Sequence, residues 1–224
     1  MIKGFIFDFN GTLYFDTDKQ EEAWWRYFRK HANREIGPTE FRDHIHGNAI
    51  DSIFEYYIGV GGPGVDKKLM VEEKEAFYRE ISWEDKANLR LVDGAIEVMD
   101  ELKARGIPFT IATASEISNV SFYFEAFPLN RWFSGPQDLA YFDGSFPGKP
   151  APDTYLRAAE KIGVAPADCL VIEDSVPGLE SARNAGIGTL VAIAPAQDRE
   201  SIEKMPDVTA VLENYYGFLE RFLP

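Results

Sequence analysis

The sequence predicts an α/β fold: a mostly parallel sheet covered by helices on both faces, with a helical segment inserted near its start. Three observations carry this. Residues 2–7, Ile-Lys-Gly-Phe-Ile-Phe, form a short apolar run that stops at Asp8 and meets a turn at Asn10-Gly11. Its length and its β-branched and aromatic content suit a strand buried on both faces. From Asp93 onward, strand-like runs alternate with helical ones, the pattern of a parallel sheet joined by helical crossovers. Between these two parts, residues 16–83 offer no strong strand candidate.

Taken in order, the opening strand ends at Asp8, and Asn10-Gly11 turns the chain because both residues tolerate left-handed backbone. Asp18 to Glu35 places Ala23, Trp24, Tyr27, Phe28 and Ala32 at helical spacing, and Gly37-Pro38 breaks the run. Phe41 with Ile45, then Ile50, Ile53, Phe54 and Tyr57, predict two further short helices. Gly59 to Gly64 reads as a linker, and Val65 to Glu80 as a charged amphipathic helix. Past Asp93, a helix over Gly94–Lys103 stops at Gly106, and Ile107–Ala112 is a strand. Ser115 can cap a helix reaching Ala126. Tyr141–Phe146 reads as a hairpin around Asp143-Gly144. Pro152 suits the first turn of a helix ending before Gly163. Leu170–Ile172 is a strand, Val176–Ala185 a helix closed by Gly186, and Thr189–Ile193 a strand. Val208–Val211 forms the last strand, followed by an aromatic helix. The expected division is a discontinuous core of residues 1–14 and 93–224 and an α-helical insert of residues 15–92.

Composition narrows the function. Hydrophobic residues make up 45% of the 224, which is ordinary for a globular chain and far from a disordered one. With 23 basic against 37 acidic side chains the net charge is −14, so neither nucleic acid nor an acidic membrane finds a basic surface. A phosphate substrate stays open, because at about 0.1 M salt distant charges are screened beyond ~10 Å. The single cysteine, Cys169, sits in a strand-like run. It excludes an internal disulfide, fits a reducing compartment and reads as a buried inert thiol. Asp8 interrupts the N-terminal apolar run too early for a signal peptide, and no run nears the ~18 apolar residues of a membrane span. The expectation is a cytoplasmic monomer.

Three later segments match the opening strand in character. Phe109–Ala112 leads to Thr113, Ala114 and Ser115; Gly148-Lys149-Pro150 follows the expected hairpin; Leu170–Ile172 leads to Glu173-Asp174-Ser175. Strand ends of a parallel sheet converge along one edge, where such sheets bind ligands. The set is then Asp8, Thr113, Lys149, Glu173 and Asp174. Taken singly, Thr113 reads as a strand-end cap, Lys149 as a solvated loop lysine and Glu173-Asp174 as acids at a helix start. Together, three carboxylates repel one another unless a cation joins them, and hard oxygen ligands favour Mg²⁺. Lys149, Thr113 and backbone N–H groups near Ser115 can hold phosphoryl oxygens. Asp8 is then placed to attack phosphorus and form an aspartyl-phosphate.

In these residues the chain resembles the haloacid dehalogenase-like hydrolase superfamily over nearly its whole length. Asp8-Phe9-Asn10-Gly11-Thr12-Leu13 looks like motif one, Thr113 like motif two, and Lys149 in Gly-Lys-Pro-Ala-Pro-Asp like motif three. Glu173-Asp174-Ser175-Val176-Pro177-Gly178-Leu179 looks like motif four in the form of the β-phosphoglucomutase and phosphoglycolate phosphatase subgroup. The resemblance implies a Rossmann-like three-layer core with an inserted helical cap. It also implies a phosphatase acting on small phosphorylated metabolites, with Mg²⁺ held by Asp8, Asp174 and the main-chain carbonyl of Asn10. Glu173 belongs to the same acidic group, and Asn10, Gly11, Thr113, Ala114, Ser115 and Lys149 fall on the phosphate-binding positions. True dehalogenases need no metal and use another fourth motif, so that chemistry is set aside.

Two departures qualify the resemblance. The family's phosphatases carry a second Asp, two residues after the nucleophile, that protonates the leaving group; here Asn10 occupies that place. An amide can donate a hydrogen bond but cannot shuttle a proton, a loss of about 10²–10⁴-fold in rate, or ~3–5 kcal/mol in the barrier. Three accounts are open: substrates with good leaving groups, a substitution introduced to trap a bound state, or a protein that binds phosphometabolites with little chemistry. The second departure weighs against a β-phosphoglucomutase-like mutase. Its hinge histidine falls near Gln20, and His46–Asp51 offers no arginine for a second phosphate. Trp24, Trp25, Arg26, Arg42, His44 and His46 are the insert's candidates for substrate contact, most of them read as insert core or solvated face.

Overall fold

The computed structural model describes residues 1–32, 37, 50–58, 66–193 and 199–223. Along the chain, strand β1 (Gly4–Phe7) precedes helices α1 (Thr17–His31), α2 (Ile50–Ile58) and α3 (Lys67–Glu84). Then come α4 (Ala95–Ala104), β2 (Phe109–Thr113), α5 (Ile117–Ala126), β3 (Ala140–Tyr141) and α6 (Asp153–Ile162). The chain ends with β4 (Cys169–Glu173), α7 (Val176–Asn184), β5 (Thr189–Ile193), α8 (Arg199–Glu203), β6 (Val208–Leu212) and α9 (Phe218–Phe222). Two compact units result: Met1–Asp16 with Ala87–Pro224, and Thr17–Lys86.

The first unit is a Rossmann-like α/β core. Its six strands are ordered β3-β2-β1-β4-β5-β6, and every pair is parallel. The chain starts in the middle, at β1, builds one half outward through β2 and β3, then returns beside β1 with β4 and builds the other half. The order therefore reverses between β1 and β4, where sheets of this kind open a crevice at their carboxyl ends. Alternation along β1 feeds both faces. Ile6 joins Val171, Ala112 and Ala192 in a cluster with Tyr155 and Ala158 of α6, Leu179 and Ala182 of α7 and Ile202 of α8. Phe5 and Phe7 point the other way, to Phe218 of α9 at 5.9 Å and Tyr215 at 6.0 Å between ring centres. All three β1 side chains are fully buried, each contributing about 1.5–3 kcal/mol.

Two local expectations are corrected. Tyr141–Phe146 is no hairpin. Thr113 and Tyr141 pair in parallel register, and Asp143 then closes a tight turn by accepting from the Ser145 N–H at 2.9 Å. Pro147, lacking an N–H, could not extend a returning strand. Nor does Ser115 cap a helix: α5 starts at Ile117 with Glu116 before it, because the Ser115 hydroxyl is drawn to Asn10 and Tyr123. Helix α8 had no clear signal in the sequence.

The second unit is helical. Trp24, Tyr27 and Phe28 of α1 pack on Ile53, Phe54 and Tyr57 of α2, with Met70, Val71 and Phe77 of α3 against them. Pro38, the short helix expected at Phe41 and Ile45, the 59–64 linker, and Arg42, His44 and His46 lie outside the described residues.

Candidate active site

Pairing of β1 with β4 runs through Phe7 and Ile172, and the Asp8 N–H continues it by donating to the Ile172 carbonyl at 2.9 Å. That register sets Asp8 beside Glu173. The chain must then leave the sheet at once. Leu13 and Tyr14 donate back to the Phe9 carbonyl at 2.8 and 3.0 Å, and Gly11 takes φ +71°. A side chain at Gly11 would be strained by that φ, and its Cβ would stand 2.0 Å from Asp174 Oδ2. The Gly11 N–H itself donates to Asp16 Oδ1 at 2.9 Å.

Lys149 arrives from the loop between β3 and α6. Its Nζ donates to Asp8 Oδ1 at 2.7 Å and to Glu173 Oε1 at 2.5 Å. It lies 5.0 Å from the centre of the Tyr155 ring. The other Glu173 oxygen accepts from the Ser175 N–H at 2.7 Å and the Ser175 hydroxyl at 3.0 Å. Ser175 in turn caps α7, accepting from the Gly178 N–H at 3.2 Å. Asp174 completes the acidic group: Asp8, Glu173 and Asp174 each present an oxygen within 4.8 Å of the others.

Burial and like charge set the electrostatics of this group. Burial pushes the Asp8 carboxyl up to about 7, with Glu173 and Asp16 adding to the rise and Lys149 opposing it. Asp174 is held well above the ordinary carboxylate range by burial, then by Glu173 and Asp8. Burial pulls Lys149 down, but Asp8 and Glu173 outweigh it and keep the ammonium charged. One ammonium thus faces three carboxylates. An all-oxygen donor set with excess negative charge fits a hard divalent cation.

Thr113, at the end of β2, accepts from the Ser115 N–H at 3.1 Å, with Ala114 exposed between them. Asn10 is held on both sides. Its Nδ2 donates to Asp16 Oδ2 at 2.6 Å, and its Oδ1 accepts from the hydroxyls of Ser115 at 3.0 Å and Tyr123 at 2.9 Å. Stacking of Tyr123 on Phe9, 3.9 Å between centres, fixes that hydroxyl. Asp16 and Tyr123 were missed by sequence reasoning. Asp16 carries no motif of its own, and Tyr123 reads as one more apolar position of a helix. In the helical unit, Trp24 is buried in the aromatic core and Trp25 packs at its edge. Arg26 pairs with Glu84 at 2.8 Å, and the side-chain amide oxygen of Gln20 accepts from the Lys74 ammonium.

A doubly wound sheet thus carries, at its reversal point, an acidic, lysine-bridged cluster whose three carboxylates could hold a metal ion. A family model for haloacid dehalogenase-like hydrolases matches residues 2–186, and the chain belongs to that family. It is 30% identical over 198 residues to hexitol phosphatase A of Escherichia coli (strain K12), covering 87% of this chain and 84% of the relative. A crystal structure of a family IA, variant 3 hydrolase of this type from Entamoeba histolytica superposes with a TM-score of 0.88 at 32% identity, covering 96% and 94% of the two chains. β-Phosphoglucomutase from Clostridium difficile shares the fold, with a TM-score of 0.73 at 20% identity over 99% and 96%.

Proposed function

We propose that the protein is a Mg²⁺-dependent phosphatase of small phosphorylated metabolites that works through a phosphorylated Asp8. The observation that carries this is Lys149 bridging Asp8 and Glu173 beside Asp174. Asp8, Asp174 and the Asn10 carbonyl would hold the metal; when bound, it neutralises phosphoryl charge and keeps Asp8 ionised. Glu173 serves the cluster by orienting Lys149, since its second oxygen is taken up by Ser175. Lys149 and Thr113 bind phosphoryl oxygens, and the N–H groups of Ala114 and Ser115 assist. Asp8 Oδ attacks phosphorus and the leaving oxygen departs; water then attacks the phosphorus of the aspartyl ester and frees the carboxylate. The helical unit acts as the cap and selects the substrate. The relatives' names, a hexitol phosphatase and a probable pseudouridine-5'-phosphatase of Drosophila melanogaster, support a small phosphate ester as the substrate. Among the described residues no helix is long and apolar enough to cross a membrane, and the buried free Cys169 agrees with a reducing compartment.

The test is phosphate release from a panel of phosphate compounds with Mg²⁺ or chelator, for the protein and for Asp8→Asn. Release that needs Mg²⁺ and is lost in a folded Asp8→Asn variant is expected. Undiminished release by that variant would refute the phospho-aspartate route.

A further inference from the structure

We infer that this site is built for phosphoryl donors whose leaving group departs as a weak base, namely acyl and aryl phosphates, and not for esters of alkyl alcohols. The inference rests on the phosphatase reading and narrows its substrate class. An alkyl ester must expel an alkoxide, a strong base that leaves readily only when protonated in the transition state. A carboxylate or phenolate leaves with its electron pair and needs no proton. The structure is organised for the second case.

Among the described residues the position two after the nucleophile carries no acid, and of the carboxylates beside Asp8, Glu173 is held by Lys149 and Ser175 while Asp174 belongs to the proposed metal set. Beside Asp8 the turn presents Asn10, whose carbonyl oxygen receives two hydroxyls and whose nitrogen donates to a carboxylate. These three partners on Tyr123, Ser115 and Asp16 match an amide. A carboxylate in its place would set two acids about 2.6 Å apart, the length of the present Asn10–Asp16 contact. Asp16 does not replace the missing acid, since both its oxygens face N–H donors, those of Asn10 and Gly11. Tyr123 spends its hydroxyl on Asn10, and Lys149 is engaged with Asp8 and Glu173. Histidine occurs only at positions 31, 44 and 46, so the core unit has none.

The two half-reactions balance without such an acid. In the first, an Asp8 oxygen bonds to phosphorus, the bond from phosphorus to the leaving oxygen breaks, and the leaving group departs as its anion. In the second, water bonds to phosphorus and the aspartyl oxygen leaves as the carboxylate. Both water protons stay on the product, which is dihydrogen phosphate. The second leaving group is itself a carboxylate, so only the first step depends on the substrate's leaving group.

The test is kcat/KM, with Mg²⁺, for acetyl phosphate, p-nitrophenyl phosphate, phenyl phosphate and propyl phosphate. The expected result is a fall of at least about 100-fold from the first two to propyl phosphate. Asn10→Asp should narrow that gap by raising propyl phosphate most. Propyl phosphate within about tenfold of p-nitrophenyl phosphate would overturn the inference and leave the phosphatase reading standing. Failure on every member would end both. If Asn10→Asp does not fold, the slope of the unaltered protein decides alone.

Discussion

Helix propensity and the site geometry give opposite signs for Gly178→Ala. Gly178 lies in the first turn of α7, and an exposed helical glycine changed to alanine gains up to about 1 kcal/mol. Here the added Cβ would stand 1.7 Å from Glu173 Oε1 and 1.9 Å from Cδ. The backbone at 178 is not left-handed, so the penalty is one of contact alone. Glu173 is 1% exposed and must swing away to admit the methyl group. In doing so it gives up the Ser175 N–H and hydroxyl and the Lys149 ammonium. Hydrogen bonds to a charged group are worth about 1.5–3 kcal/mol each. Losing two of them against the propensity gain leaves a destabilisation of about 2–5 kcal/mol. A chain of this size loses roughly 2–4 °C of Tm per kcal/mol. Urea unfolding of Gly178→Ala should therefore show a clear loss, with phosphatase activity falling as Lys149 loses its second anchor. Gly148→Ala is the stability control, because nothing lies within 4 Å of its Cβ. A Gly178→Ala protein as stable as the parent, or more so, would refute the tight seating of Glu173.

Further outcomes follow from the same contacts. Asp174→Asn should abolish the rise in Tm that Mg²⁺ produces, measured by thermal shift with Mg²⁺ against chelator, while the protein remains folded. Burial lifts the Cys169 thiol from 9.0 to about 11. A thiol reagent at pH 8 should thus label the native protein at the rate of unfolding, and unfolded chains at once. Tyr123→Phe removes one of two hydroxyls from Asn10 Oδ1 while keeping the Phe9 stack. It should lower kcat by up to about tenfold at a modest cost of ~1 kcal/mol in stability.

What the sequence made legible is what the backbone makes local. The run from Ile6 to Asp8 reads as a strand ending in an acid because burial on both faces leaves no room for polar residues before the edge. Glu173-Asp174-Ser175 reads as a strand end and a helix start because a capping Ser and Pro177 follow in fixed order. The hairpin failed for the opposite reason: Asp143-Gly144 marks a turn but not its partner, and β2 competes for Tyr141. The cage around Asn10 was illegible because its members lie far apart. Tyr123 and Ser115 reach it over 113 and 105 residues, and no spacing rule links them. Lys149 stood out by its motif alone, since its loop carries no strand to aim it.

The acidic cluster also depends on the apolar core at whose edge it sits. Three carboxylates against one ammonium at the end of buried strands is a costly arrangement, and an apolar set of equal volume would be more stable. It persists because the neighbours constrain every member. Register fixes Asp8 against Ile172, the absence of side chains at Gly11 and Gly178 leaves room for Asp174 and Glu173, and Lys149 ties two acids together. The same buried strands, β1 and β4, supply the stability that tolerates the strain of like charges. A cation between Asp8 and Asp174 would turn their repulsion into shared coordination. Stability and reactivity thus meet in one feature, an acid pair that the fold holds together and whose repulsion a bound cation would relieve.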